Sequence, residues 1–494
     1  MRPPFDVSTS AADLPQVAAL LAGEWALGEG NRITVLDKYT LEPFAEVPAS
    51  SPEQIRRMID AGQTAFENDR LTPYERGRIL DGVADLLSSR RSEALAIMQR
   101  ETGFTVSDCN GEIARTIDTL RLSAEEARRL AGEVIPLAGA AGQGNRFAYT
   151  LRVPLGIVLA VTPFNAPLNT VTHKIAPALG AGNVVLLKPA GQTPRSACFL
   201  ASLFVEAGLP PAYLQIFHGS GEEVSLAIED ERVRFIAFTG STEVGLMLAR
   251  RPSAVLRRVS LEMGGHSPAI VFPDADIEAT AANIMLAKFP NAGQSCISIN
   301  RLFLHRSIAD ELTTKLVERV GQLRLGRGLT EGVTTGPLID FAGLDKVERH
   351  VTGAVAKGAE VLIGGKRWTP DDPRLKGAFY EPTVLTNVDE GMEIAHEETF
   401  GPVLPIYTFD DDDDVIARAN NTTYGLAAYV FGSDFNRIWD AMERLEFGVI
   451  GVNDPLPNRP ELPFGGFKNS GQGREGGTEG IEDYVETKAV AIKK

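Results

Sequence analysis

From Gly156 onward the chain alternates short apolar runs with helix-length segments, and few folds accommodate that rhythm. Residues 157–161, 184–187, 214–217 and 235–239 read as strands, and 172–179 and 197–207 as helices set between them. Strands separated by helices of this length predict βαβ units, a parallel sheet and right-handed crossovers. The strand runs are apolar without alternation, as expected for a sheet covered on both faces.

The flanking segments read differently. Residues 1–50 are broken by Gly and Pro around one strand-like run at 32–36, and Ser51 before Pro52 is a helix-start signal. Apolar spacing predicts two long amphipathic helices through 79–96 and 113–130. After Gly132 come Gly- and Ala-rich turns and an alternating, strand-like run at 146–153. Gly264 and Gly265 mark passage into a second α/β domain, with strands expected at 268–272, 302–305, 361–364, 403–409 and 428–431 and a helix at 275–288. No internal repeat of solenoid period is present.

A chain of 494 residues exceeds the size at which one core keeps growing, so two large domains are expected. The net charge of −16 argues against generic nucleic-acid or anionic-membrane binding. Asp410 to Asp414 read as a solvated loop or helix start, because consecutive acids cannot all converge on one ion, and no metal site is expected. Cys109, Cys198 and Cys296, an odd and widely spaced set, fit reduced thiols. The N-terminal residues lack the apolar core of a secretion signal, and the apolar runs are too short to span a bilayer. The expectation is a soluble cytoplasmic protein.

Chemistry concentrates in two stretches, 289–301 around Cys296 and 259–268 around Glu262. A thiol attacks as thiolate, so a nucleophilic Cys needs a base, and Glu262, 34 positions upstream, is a candidate. Taken singly, a Cys is more often a small buried apolar residue and a Glu a solvated one. Gly293 beside Cys296, and Gly264 and Gly265 after Glu262, allow the close backbone approach a site needs. Gly240 to Gly245, where a strand meets a helix, suits either a diphosphate cradled by backbone N–H groups or a tight turn without a ligand.

Seven motifs occur in one order: Thr-Pro-Phe-Asn-Ala-Pro at 162–167, Lys-Pro-Ala at 188–190, Phe-Thr-Gly-Ser-Thr-Glu-Val-Gly at 238–245, Leu-Glu-Met-Gly-Gly at 261–265, Gly-Gln-Ser-Cys at 293–296, Glu-Glu-Thr-Phe-Gly-Pro at 397–402 and Pro-Phe-Gly-Gly-Phe-Lys at 463–468. Together they resemble the NAD(P)-dependent aldehyde dehydrogenase superfamily, and the C-terminal text looks most like its succinate-semialdehyde dehydrogenase branch. The resemblance implies an α/β fold with a Rossmann-like cofactor domain (1–131 and 154–261), a catalytic domain (262–470) and a β-hairpin oligomerisation arm (132–153 and 471–494). In the family the arm pairs with the C-terminal strand region of a neighbouring subunit, so the run at 484–492 is expected to meet 146–153 of another copy in a homodimer or homotetramer.

The resemblance also assigns roles. Cys296 is the nucleophile, Glu262 the general base that hydrolyses a thioester, Asn165 an oxyanion donor with the Cys296 N–H, and Lys174 an aid to proton transfer. NAD or NADP is the cofactor. Lys188 reaches the adenosine ribose, Ser241 the phosphate between Gly240 and Gly245, Glu398 the nicotinamide ribose and Phe400 the nicotinamide ring, with Thr162 and Phe164 alongside. Gly191 stands where many NAD-preferring members carry a Glu that repels a 2′-phosphate, so NADP is expected to be tolerated.

For the substrate, the branch commonly places Arg where this chain has His173 and Pro290, which argues against succinate semialdehyde as the preferred aldehyde. Arg115 is an alternative anchor, shared with His173 by phosphonoacetaldehyde dehydrogenases, although those usually carry Arg where Ser295 stands; a surface ion pair is the competing role for Arg115. Arg459 is a second anchor. The expectation is a small polar or anionic aldehyde oxidised to the free acid. A coenzyme A-acylating enzyme and a catalytically silent relative are the alternatives, and Glu262 speaks against the first.

Overall fold

Five parallel strands, Ile157–Val161, Val184–Lys188, Leu214–Ile216, Val233–Thr239 and Arg258–Glu262, realise the predicted alternation. Numbered along the chain, they lie in the order 3-2-1-4-5 across their sheet, the doubly wound arrangement in which ligands bind where the strand order reverses. That reversal falls between Ile157–Val161 and Val233–Thr239, which pair directly. The computed structural model describes residues 4–7, 14–250 and 255–493; residues 1–3 and 8 of the N-terminal stretch read for a secretion signal lie outside them.

Helices cover both faces of the sheet. Ile157–Val161 and the first four residues of Val184–Lys188 are wholly buried, each Val, Leu or Ile side chain among them contributing roughly 1.5–3 kcal/mol by leaving water. Pro52–Asn68 starts as predicted, Ser51 and Gln54 exchanging capping bonds. The run at 79–96 is not one helix. It divides into Pro73–Ser89 and Arg91–Thr102 at Arg90, whose backbone leaves the helical region, and apolar spacing that continues through a break cannot reveal it. Helix Val106–Arg129 is one piece of 24 residues. Strand Arg258–Glu262 and helix Gly221–Glu229, not anticipated from sequence, complete the domain.

The second sheet has seven strands, in the order Glu360–Ile363, Thr383–Thr386, Val403–Phe409, Ile299–His305, Ser267–Val271, Ala427–Phe431 and Val449–Val452, parallel except for the first pair. Asp411 caps helix Asp412–Asn420 through its side chain, so most of the five-acid run is a helix start.

The arm corrects an expectation. Strand Arg146–Pro154 pairs antiparallel with Val485–Lys493 of the same chain, from Val485 opposite Pro154 to Lys493 opposite Arg146, and Val134–Ile135 adds a third strand. The two segments are therefore partners within one subunit, and not the intersubunit pair expected. Among the described residues no helix is long and apolar enough to cross a membrane.

Candidate active site

Cys296 sits on the turn between helix Ile277–Lys288 and the central strand Ile299–His305 of the second sheet. Asn291 and Ala292 adopt left-handed backbone (φ 51° and 52°), a strained conformation for side-chain-bearing residues that needs support from its surroundings. Asp108 accepts the Asn291 N–H at 3.1 Å, Gln294 accepts the Ile339 N–H at 2.9 Å, and the Tyr429 hydroxyl donates to the Ile297 carbonyl at 2.8 Å. The loop is thus tied to three other elements. Gly265 has a local reason: a Cβ there would strike the Cys296 carbonyl oxygen.

Glu262 ends strand Arg258–Glu262 of the first sheet, whose outer side pairs with Gly471–Gln472, and faces the same cavity. Both carboxylate oxygens are buried, with no hydrogen-bond partner among the described residues. Burial, and then the nearby charge of Glu475, hold this carboxyl well above its ordinary range, while Lys174 and Arg474 oppose the shift. A buried carboxyl without partners is costly to stability and therefore a functional candidate. The Cys296 thiol is also raised, first by burial and then by Glu398 and Glu262.

Glu475 belongs to this group although the sequence reading did not single it out. It is buried, lines the cavity and ion-pairs with the buried Lys174. Lys174 itself does not line the cavity; it stands behind Glu475. Removing either member of such a buried pair strands the other charge, at a cost of about 3–5 kcal/mol. The clue available in sequence was a lone acid among the glycines of 471–477.

Asn165 lines the cavity, and its side-chain amide donates to the Gln294 carbonyl at 3.2 Å, two residues before Cys296. Glu112, buried in helix Val106–Arg129, accepts the N–H groups of Leu168 and Asn169 at 2.7 and 3.0 Å, anchoring the start of helix Asn169–Ala181, which carries His173 and Lys174. Burial pushes the Glu112 carboxyl up to about 7.

The cavity has a volume of about 560 Å³ and brings Cys296, Glu262, Asn165 and Glu475 together with Arg115, His173 and Arg459. His173 Nε2 lies 3.4 Å from the Thr119 hydroxyl, and burial holds its ring below the ordinary range, hence neutral. Arg115 is half-buried, and its guanidinium makes no ion pair or hydrogen bond among the described residues. The surface ion pair considered for it is therefore not formed. Arg459 is exposed at the loop side of the cavity and equally unpaired.

The cofactor candidates surround the switch point of the first sheet. Thr162 follows the first strand and Thr239 ends the fourth; with Thr242 they present buried hydroxyls that have no partner among the described residues. Ser241 precedes helix Thr242–Arg250 and is exposed; its hydroxyl accepts the Val244 N–H at 3.4 Å, and the N–H groups of Thr242 and Glu243 are those left for an anion. Gly240 and Gly245 act in packing, since a Cβ at Gly245 would strike Met263 and one at Gly240 the Phe238 ring. Lys188 ends the second strand, with its ammonium lowered by burial and supported by Glu223. A Cβ at Gly191 would meet only Ile33, at 3.8 Å. Across the cleft, Glu398 accepts the Gly265 N–H at 3.0 Å, and Phe400 packs edge-on to Phe164 with centroids 6.0 Å apart. Orphaned hydroxyls, an open helix start and ribose-length polar side chains fit a dinucleotide.

A dinucleotide-type sheet facing a thiol beside a buried carboxyl is the equipment of an oxidoreductase that works through a covalent thiol adduct. Residues 25–490 match the aldehyde dehydrogenase family, and this chain belongs to it. It is 40% identical to a 3-sulfolactaldehyde dehydrogenase of Priestia aryabhattai over 98% of this chain and 99% of that one. It is 39% identical to the NADP(+) succinate-semialdehyde dehydrogenase of Escherichia coli over 96% and 97%. A crystal structure of an Escherichia coli NADP-dependent enzyme superposes with a TM-score of 0.93 at 38% identity, covering 97% and 98%. The chain is an NAD(P)-dependent aldehyde dehydrogenase.

Proposed function

We propose that this enzyme oxidises a small aldehyde bearing an anionic group at its far end to the free acid, with Cys296 as nucleophile and Glu262 as the base of hydrolysis. The observation that carries the substrate class is the pair of unpaired guanidinium groups, Arg115 and Arg459, in the cavity of Cys296 and Glu262. An anion is the natural partner of such groups. The aldehydes named for the two relatives, 3-sulfolactaldehyde and succinate semialdehyde, both carry an acid group remote from the carbonyl. With His173 and Pro290 in place of branch arginines, the clamp here differs from that of a dedicated succinate-semialdehyde enzyme.

Lys188, Ser241, Thr162 and Glu398 would hold the cofactor, with Phe164 and Phe400 beside its redox end. The nicotinamide, when bound, supplies the acceptor for a hydride. Glu262 takes the proton of the Cys296 thiol and passes it on toward solvent, and the sulfur bonds to the aldehyde carbon; the carbonyl oxygen gains the charge, which the Asn165 amide and the Cys296 N–H stabilise. Loss of hydride from that carbon leaves a thioester on Cys296. Glu262 then takes a proton from water as its oxygen attacks, the C–S bond breaks, and the acid leaves. Glu475 and Lys174 behind Glu262 pass that proton onward. The raised Glu262 carboxyl is a stronger base, once ionised, than an exposed glutamate.

Gly191 leaves room for a 2′-phosphate, so both NADP and NAD serve. The apolar arm supports a homodimer or homotetramer, and the protein works in the cytoplasm.

Initial rates with 3-sulfolactaldehyde, succinate semialdehyde, phosphonoacetaldehyde and benzaldehyde test the reading. Arg115→Leu should raise KM for the anionic aldehydes roughly 10–100-fold, the worth of a charged hydrogen bond, and leave benzaldehyde unchanged. Glu262→Gln should retain a burst of reduced cofactor and lose steady turnover about 10²–10⁴-fold. An equal effect of Arg115→Leu on every aldehyde would overturn the anion pocket; steady turnover that survives Glu262→Gln would overturn the base.

A further inference from the structure

Next to Glu398 in the chain, and outside the lining of the catalytic cavity, a second cluster of ligand-type side chains is assembled. His350 lies on helix Phe341–Ala356, Glu393 on the short turn Glu393–Ala395, and Glu397 immediately precedes Glu398. One ligand atom from each lies within 4.8 Å of the others. His350 is fully buried, and its Nε2 points at Glu397 Oε2 (3.5 Å) and Glu393 Oε1 (3.7 Å) without a hydrogen bond to either.

The other ring nitrogen, Nδ1, lies 3.2 Å from the Thr399 hydroxyl. In the tautomer that donates Nδ1–H to Thr399, Nε2 turns a bare lone pair toward two carboxylate oxygens. Three electron-rich atoms then face one point, an arrangement that a cation relieves. The separations are close to the roughly 3.4 Å that spans two ligands each about 2.0–2.1 Å from a tetrahedral ion.

We infer that His350, Glu393 and Glu397 form a binding site for a borderline divalent cation of the zinc or cobalt type, clamping the loop that carries Glu398 and Phe400. One imidazole and two carboxylates suit such ions better than an all-oxygen cage for calcium or magnesium. The hydrogen bond that Nδ1–H donates to the Thr399 hydroxyl on the far side of the imidazole orients the ligand, as outer-shell partners do. The competing occupant is Arg349, whose guanidinium meets Glu393 at 3.0 Å and Glu397 at 3.8 Å. Its side chain is 54% exposed, so it can swing into water when an ion enters. The ligands come from separate segments of the chain, which hides the site from motif reading. The effect on the cofactor loop rests on the proposed role of Glu398; binding of the ion does not.

The test is calorimetric titration of chelator-treated protein with cobalt(II), carried out in a Cys296→Ala background so that the thiol does not compete, with thermal unfolding in parallel. One ion per chain and a rise in melting temperature are expected. His350→Gln and Glu393→Gln should each weaken binding about tenfold or more, Glu393→Gln being the surface change that leaves packing intact. Arg349→Gln should tighten it several-fold. With Cys296 in place, the added ion should lower KM for NADP while leaving kcat within a factor of two. Absence of binding up to millimolar cobalt overturns the site. So does binding that neither His350→Gln nor Glu393→Gln weakens, because the ion would then lie elsewhere, with the acidic run 410–414 as the alternative. An unchanged KM alongside ligand-dependent binding overturns the link to Glu398 and leaves the metal site standing.

Discussion

Lys288 is an uncomfortable residue. Its ammonium is buried, has no partner among the described residues, and is pushed down to about 7 by burial, with Glu398 opposing the shift. An amine that is charged up to pH 10.5 when unfolded but only up to about 7 when folded makes the unfolded chain bind the extra proton between those values. Stability therefore rises with pH across that window. Lys288→Met should raise stability by on the order of 1–3 kcal/mol at pH 7, with the gain shrinking toward pH 10; chemical denaturation at both pH values checks it. Cys296 behaves in the opposite sense. Its thiol is held protonated by burial and by Glu398, so alkylation by iodoacetamide should climb steadily from pH 7 to 9, and Glu398→Gln should accelerate it at pH 8. Slower alkylation in that variant would mean Glu398 is not the group that raises the thiol. Cys296, Glu262 and Asn165 were legible because each stands in a distinctive local motif. Glu475 was not, because its role comes from a contact with Lys174, 301 positions away, and local text carries no trace of that distance.

At the level of elements, the proposed cofactor choice rests on the turn after strand Val184–Lys188. Gly191 leaves open space where a side chain would project. Gly191→Glu should shift preference from NADP to NAD by about tenfold or more in kcat/KM, through repulsion of the 2′-phosphate and a new bond to the free hydroxyl; rates with both cofactors measure it. An unchanged ratio would place the 2′ position elsewhere. Four strands of the first sheet were readable because burial on both faces leaves an unbroken apolar signature, while Arg258–Glu262, which begins on an exposed Arg, was not. The helix break at Arg90 was not, since the apolar stripe runs on through it, and neither was the partner of the arm strand. Alternation says that a strand exists, and its edges are silent on whether the neighbour comes from the same chain.

For the whole molecule, the arm presents an apolar face. Phe147 and Leu151, four residues apart and so on one face of strand Arg146–Pro154, are exposed, as are Val134 and Ile492 from the strands on either side. A contiguous patch of this kind marks an interface. Light scattering should give a multiple of the single-chain mass, and Phe147→Asp with Leu151→Asp should reduce it while leaving far-ultraviolet circular dichroism unchanged; a wild-type mass of one chain would refute assembly through the arm. The cavity, in turn, has two walls of unlike construction. One is built from backbone: the end of strand Arg258–Glu262 pairs with Gly471 and Gln472, the chain then crosses a glycine-rich loop, and Glu475 closes it against Lys174. The other is built from side chains on helix Val106–Arg129, helix Asn169–Ala181 and the loop of Arg459. Mutation can therefore redraw the second wall one side chain at a time, at Arg115, His173, Pro290 or Arg459, while the first stays fixed. Divergence toward new aldehydes would leave its record in those few positions, and an engineer seeking another substrate has the same short library to build.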